Sequence, residues 1–434
     1  MRFDKLKRLV DPARPITYGI VQAGPEFDGG VPYIRPADMT DESGVKDFGS
    51  IKHTSPEIAL QYRRSAVRSG DLIISIGPSF GKVMEVPSDL DGANLTQGTA
   101  RVAPGPTLHA RFAFWCLRSY HCYSQWEAGI GGATFRALNL GPLAETRIPN
   151  PDLATQRQIA DFLDRETARI DLLIEKKQRL VALLGEKEAA FIESMVTNGF
   201  AFQPSRDQAI REDGWRLVKL KNLSSRLKVG VVVNPSEYID DDGDIPFIYG
   251  GNIRDYYIDT ANCRRMSADS SRRLKASRLR PSDVVVVRVG APGVAAVIPD
   301  NVPEANCASV MCVTVKVCSG DWLAYAFNSR FVRYQVEIVQ YGAAQKQFNL
   351  EHAREFTIPI PPRDQEATLV NQMRAYRDRN MKIKDTTLQS INRLKEYRSA
   401  LITAAVTGQI DVTTYAKSGI LDRQLDAIQE EMGA

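Results

Sequence analysis

Two long stretches of the chain repeat apolar residues at coiled-coil spacing. Heptad a and d steps from Ile159 meet Ile159, Leu163, Ile170, Leu173, Leu180, Leu184 and Phe191, broken by Glu166, Lys177 and Lys187. Steps from Leu369 meet Leu369, Met373, Tyr376, Ile383, Leu394, Tyr397, Leu401 and Ala404. A stripe sustained over three heptads or more marks helices that pair. Each run stops near a glycine, in VTNG (196–199) and VTGQ (406–409), where a left-handed cap residue is wanted. At ~1.5 Å per residue a run of ~40 residues extends about 60 Å. That is about twice the ~30 Å a domain of this size spans, so the two helices are expected to pair antiparallel with each other.

Outside those helices the period shortens to that of strands. VPYI (31–34), DLIISIG (71–77) and ARVAP (100–104) form one set, and IPFI (245–248), DVVVVRVG (283–290) and VMCVTVKV (310–317) form another. Loops such as AGPEFDGG (23–30) and DDDGD (240–244) separate them, and helical stretches at 111–126 and 321–340 follow. The two sets are copies. MRFDKLKRL matches WRLVKLKNL 214 positions on, RSGDLIIS matches RPSDVVVV at 212, and RIPNP matches TIPIP at 210. The chain is therefore expected to be α+β, with two similar globular domains (1–150 and 201–360), two long helices (151–200 and 361–410) in an antiparallel coiled coil, a tail (411–434) and an internal pseudo-twofold repeat. Whatever one copy recognises, the other recognises in duplicate.

Composition narrows the class only a little. With 56 basic and 52 acidic residues the net charge of +4 is a weak pointer to a polyanion. No apolar run reaches the ~18 residues of a membrane helix, and the first residues lack the apolar core of a signal peptide. Six cysteines without a CxxC pair fit reduced thiols in a cytoplasmic protein. His109, Cys116, His121 and Cys122 crowd into HARFAFWCLRSYHC, but that stretch has the pattern of an aromatic amphipathic helix, and the second copy has no His or Cys there. The motif search finds no GxxxxGK[ST], HExxH, GxSxG or strand-borne GxGxxG. GIGGAT (129–134) lacks the lysine of a phosphate loop. NPDL (150–153) lacks the second proline and the stacking aromatic of Asn-Pro-Pro-Tyr. No catalytic residue and no metal site are expected.

Basic side chains recur at matched places. Arg63, Arg64 and Arg68 stand in QYRRSAVR, and Arg272, Arg273, Lys275 and Arg280 in SRRLKASRLR; Arg136 matches Lys346 in the turn before the IPxP signal. Each alone fits a solvated helix face as well as a phosphate contact. As a recurring set they point to nucleic acid.

The segments RIPNPDLATQRQIADFLD (147–164) and TIPIPPRDQEATLVNQM (357–373), each leading into a long helix, resemble the specificity subunit of type I restriction–modification enzymes. Pro149, Pro151 and Gln156 fill the family pattern in the first half; Pro359, Pro361, Pro362 and Gln365 fill it in the second. Asp152 departs from it, standing where the pattern has its second proline. The resemblance implies a non-catalytic subunit. Each domain would recognise half of a split double-stranded DNA target, and the helices, through Ile159, Leu163, Ile170, Leu173, Leu180, Leu184, Leu369, Met373, Ile383, Leu394 and Leu401, would fix the gap. Two methylation subunits and the restriction subunits would dock, and S-adenosylmethionine, ATP and magnesium would belong to those partners. The competing expectation from the residues is a coiled-coil scaffold that makes no direct contact with DNA.

Overall fold

The computed structural model describes residues 1–40, 44–77, 79–130, 136–200, 211–340 and 347–430. The chain forms two compact units, Met1–Arg179 with Thr386–Ala434, and Leu180–Asp385. Each boundary falls inside a long helix.

In the first unit, strands Thr17–Tyr18, Thr99–Val102, Leu72–Ser75 and Val83–Glu85 form an antiparallel sheet in that order. Val31–Ile34 pairs antiparallel with Lys52–Thr54 and parallel with Asn94–Leu95 in a second sheet. The run Leu72-Ile73-Ile74 is apolar on both faces because both are covered. Leu72 and Ile74 enter the core with helix Ala110–Arg118, while Ile73 enters the core with Ile34, Met84 and Leu95. Side chains alternate across a strand, so one apolar run serves two cores. Strand Phe3–Lys5 closes the unit by pairing with Arg147–Pro149.

The second unit repeats the plan. Its sheets run Ser224–Val229, Met311–Val315, Val284–Val286, Ala295–Val297, and Arg264–Met266, Ile245–Ile248, Ala305–Cys307, Arg278–Leu279. Val284 and Val286 face one core and Val285 and Val287 the other. Arg216–Lys219 pairs with Thr357–Ile360 to close it. A short hairpin, Ile253–Arg254 with Tyr257–Ile258, corresponds to the antiparallel bridge between Met39 and Val45 in the first unit.

The long helices are Leu153–Thr197 and Arg363–Thr407, each of 45 residues. In the first unit, Ile159, Leu163, Ile170 and Ile174 share a core with Ile391, Leu394, Leu401 and Val406, and Asp171 pairs with Arg398 at 2.8 Å. In the second unit, Glu188 meets Lys384 at 2.8 Å, and Phe191 stacks on Tyr376 at 4.2 Å between ring centres. Rising numbers on one helix meet falling numbers on the other: the packing is antiparallel.

The heptad expectation holds along the second helix but only over the first part of the first, as far as Lys177. Met373, Asn380, Thr387, Leu394 and Leu401 are all buried at seven-residue steps. On the first helix Ile159, Ile170 and Ile192 are buried and Val181 half-buried, at eleven-residue steps. An unbent helix drifts ~20° per heptad, so three heptads from Ile159 carry Leu180 out of the seam; it is 38% exposed. Leu173, Leu184, Leu369 and Ile383 are half-buried at its flanks. Residues 411–430 are more than a tail. Helices Val412–Lys417 and Ile420–Glu430 bury Val412, Leu421 and Leu425, and Asp422 pairs with Arg169 at 2.7 Å.

Candidate nucleic-acid interface

The basic turns stand on a scaffold built twice. Helix Pro56–Gln61 is capped by Ser55, whose hydroxyl accepts from the Ile58 amide, and Ala268–Arg273 by Ser267, which accepts from the Ser270 amide. After each helix a tight turn follows, held by a buried asparagine. Ser65 donates to Asn94 at 2.8 Å, and Asn306 donates to Ser277 at 2.9 Å. Below it, Asp71 accepts the Arg68 amide at 2.7 Å and binds the Arg14 guanidinium; Asp283 accepts the Arg280 amide at 2.9 Å and the Arg226 guanidinium at 2.8 Å.

The charges carried on this scaffold differ. Arg63, Arg64 and Arg68 are exposed and form no ion pair among the described residues. Together with Arg14 and Arg101 they line one depression of about 590 Å³. Arg272 and Arg273 both turn onto Asp269, at 3.4 and 2.7 Å. Lys275 and Arg280 are exposed beside them. Arg136 lies elsewhere: it pairs with Glu127 and sits 5.9 Å from the Phe80 ring, which stacks on Tyr123. Lys346, YGAAQ and most of GIGGAT lie outside the described residues.

Arg14 and Arg101 are missing from the sequence-derived set. Arg101 stands inside the buried strand Thr99–Val102, and its place at the floor of a basic depression depends on pairing with Leu72–Ser75 that only the fold supplies. Of the crowded His and Cys residues, Cys116 and Cys122 are fully buried, and burial pushes the Cys122 thiol up to about 12. His121 Nε2 lies 3.0 Å from the Arg147 carbonyl. Among the described residues no group of three or more His, Cys, Asp or Glu side chains could hold a metal ion, and no helix is long and apolar enough to cross a membrane.

The family model for the type I restriction modification DNA specificity domain matches residues 20–182. That match covers less than half of the chain, all of it within the first half. It takes in Arg63, Arg64, Arg68 and Arg101 of the depression but not Arg14, and it includes Arg136 and the first long helix as far as Ala182. The resemblance to type I specificity subunits extends to curated relatives. The EcoBI specificity subunit of Escherichia coli is 29% identical over 173 residues, 40% of this chain and 36% of that subunit. The putative MjaX specificity subunit of Methanocaldococcus jannaschii is 22% identical over 300 residues, 64% of this chain and 62% of the relative. The matches thus span less than two thirds of either relative. A chain solved in work on complex assembly and conformational transition of the type I R-M system superposes with a TM-score of 0.68 at 18% identity, covering 93% of this chain and 97% of that one. The HsdS subunit of Thermoanaerobacter tengcongensis gives 0.50 at 18% identity, covering 94% and 97%. The α+β fold with paired long helices is the fold of those structures.

Proposed function

We propose that this chain is the DNA-reading subunit of a type I restriction–modification assembly. Each globular domain reads one half of a bipartite duplex target, and the paired helices set the separation of the halves. The observation that carries this reading is the recurrence of the contacts joining domain to helix. Gln156 accepts the His109 amide at 2.7 Å, and 210 positions on Glu366 accepts the Ser319 amide at 2.7 Å. The structural counterpart of Gln156 is therefore Glu366, one residue beyond the Gln365 of the family pattern. Thr403 caps the helix Tyr120–Ile130 through the Tyr120 amide, and Glu193, again 210 positions away, caps Arg330–Gln340 through the Arg330 amide. Each unit thus binds the start of one long helix and the end of the other. A chain built so offers two equivalent sets of surfaces, which suits two identical partners.

The methylation subunits dock on the outer faces of the long helices, where Leu172 and Leu388 are exposed in the first unit and Leu180, Leu183 and Met381 in the second. Restriction subunits join that core. S-adenosylmethionine, ATP and magnesium belong to the partners, and this chain contributes binding without chemistry. Co-expression with a methylation subunit followed by methylome sequencing tests the reading. Exchanging residues 1–150 for the matching domain of a relative should change one half of the methylated sequence and leave the other. A change in both halves, or in neither, would refute modular readout.

A further inference from the structure

We propose that the depression lined by Arg14, Arg63, Arg64, Arg68 and Arg101 is an oxyanion site that seats a phosphate group. Arg101 at its floor is only 3% exposed. Its Nη1 donates to the carbonyls of Arg64 and Ala66 at 2.7 Å and its Nη2 to that of Pro15 at 3.2 Å. Its Nε has no hydrogen-bond partner among the described residues. Carbonyls orient a guanidinium without neutralising it, and a buried charge left uncompensated is costly. Arg14 spends its charge on Asp71, but Arg63, Arg64 and Arg68 add three unpaired cations at the rim. The acid in the lining is Asp91, whose carboxylate accepts the Ser69 amide at 2.9 Å. The balance is positive, the donors are guanidinium forks, and phosphate is an oxyanion whose geometry such forks match.

The second copy supplies an internal control. Ile73 faces Arg101 across its ladder, whereas the matching Val285 faces Cys312. There Arg272 and Arg273 are spent on Asp269, and Arg278 on Glu304. The same scaffold is present there with Lys275 and Arg280 exposed, but Cys312 stands where the buried guanidinium of Arg101 would be, so the site as built belongs to the first unit. Its phosphate comes either from a duplex backbone, a source that rests on the function proposed above, or from a small phosphate-bearing molecule.

The test titrates the full chain with inorganic phosphate by calorimetry and with a mixed-sequence duplex at several salt concentrations. The variants are R63Q/R64Q and, as control, R272Q/R273Q. All four arginines are exposed, so folding should persist, checked by thermal unfolding, with R68Q as a second variant of the same site. R63Q/R64Q should weaken phosphate roughly tenfold, the loss of about one charge-assisted hydrogen bond, while the control leaves it unchanged. If the duplex is the source, its salt slope also falls by about 0.9 per contact removed. Phosphate weakened with duplex binding untouched keeps the site and assigns it to a small molecule. A parent chain that binds phosphate through these arginines but no duplex would sink the DNA reading and leave the site standing. No phosphate binding by the parent chain, or equal loss in both double variants, overturns the proposal.

Discussion

Asp71 and Asp283 each tie a guanidinium to the backbone of a basic turn while only 4% exposed. A buried carboxylate of this kind cannot be replaced by water, and removing one partner leaves the other charge stranded. Asp283 also accepts from Thr314 at 2.5 Å. Asp283→Asn should therefore lower stability by roughly 2–3 kcal/mol in urea unfolding, since a buried charge-assisted bond is lost. A change below the error of the titration would mean that Arg226 finds solvent easily. A second residue-scale consequence concerns pH. Hydrogen bonds from Lys5 and Lys7 hold the Glu145 carboxyl down to about 2, and Lys219 and Lys221 do the same to Glu355. A depressed folded-state pKa stabilises above the unfolded value and is lost as pH falls through the folded one. Glu145 and Glu355 thus contribute above pH 4.5, and the contribution disappears between 4.5 and about 2. Both are solvent-screened surface pairs, so the effect should shrink in high salt. Comparing E145Q/E355Q with the parent chain, the difference in melting temperature should vanish at the acid end of that window; a constant gap would show that the lysines do not act through charge.

At the scale of elements, the paired helices are apolar at their ends and polar towards the middle. Ile159, Leu163 and Ile170 pack with Leu394 and Leu401 in one unit, and Ile192 and Val196 with Val370 and Met373 in the other. Between them along the chain lie buried Lys177, Asn380, Thr387 and Ser390. Apolar spacing made both helices and their pairing legible in the sequence. It misplaced Leu180, because a heptad ruler laid on a helix with an eleven-residue stripe accumulates a rotation that no single residue announces. Substitution separates the two periods. Leu180→Asp should cost less than about 1 kcal/mol, as surface changes do. Ile192→Asp, at a position 2% exposed, should cost several times more, because a charge is buried without a partner. Equal costs would restore the heptad. Asn380 is 4% exposed and its Nδ2 has no hydrogen-bond partner among the described residues. Asn380→Leu should then raise stability by about 1 kcal/mol, with the register control that a polar seam residue provides given up in exchange.

For the whole molecule, duplication was the legible fact and charge placement the illegible one. Matched blocks such as RIPNP and TIPIP locate the two copies and their helices, and the contacts that join helix to domain recur at the same 210-residue offset. The basic residues also recur in sequence, yet their environments diverge: Arg63 and Arg64 stay unpaired while Arg272 and Arg273 fold onto Asp269. A one-dimensional match records side-chain type, but ion pairing depends on helical register: Arg272 and Arg273 follow Asp269 by three and four residues, whereas Glu57, the matching acid of the first copy, is followed there by Leu60 and Gln61. Arg111 with Asp164 and Asp321 with Arg374 make the same point: the ion pair persists at the 210-residue offset with its charges exchanged.

The function proposed above assigns all chemistry to partners, which yields the last prediction. Incubated with labelled S-adenosylmethionine and duplex DNA, the isolated chain should incorporate no label, and adding a methylation subunit should give incorporation that depends on both proteins. The reason lies in the side chains of the first unit. The basic depression offers guanidinium groups suited to holding phosphate, and its lining contains no carboxylate, imidazole or thiol besides Asp91, which is already engaged by the Ser69 amide. Phosphate contacts position a duplex without transforming it. Label transferred by the chain alone would place a methyl-transfer centre within it and overturn the division of labour proposed here. Label transferred by the methylation subunit at the same rate and sequence without this chain would show that target reading resides in the partner instead.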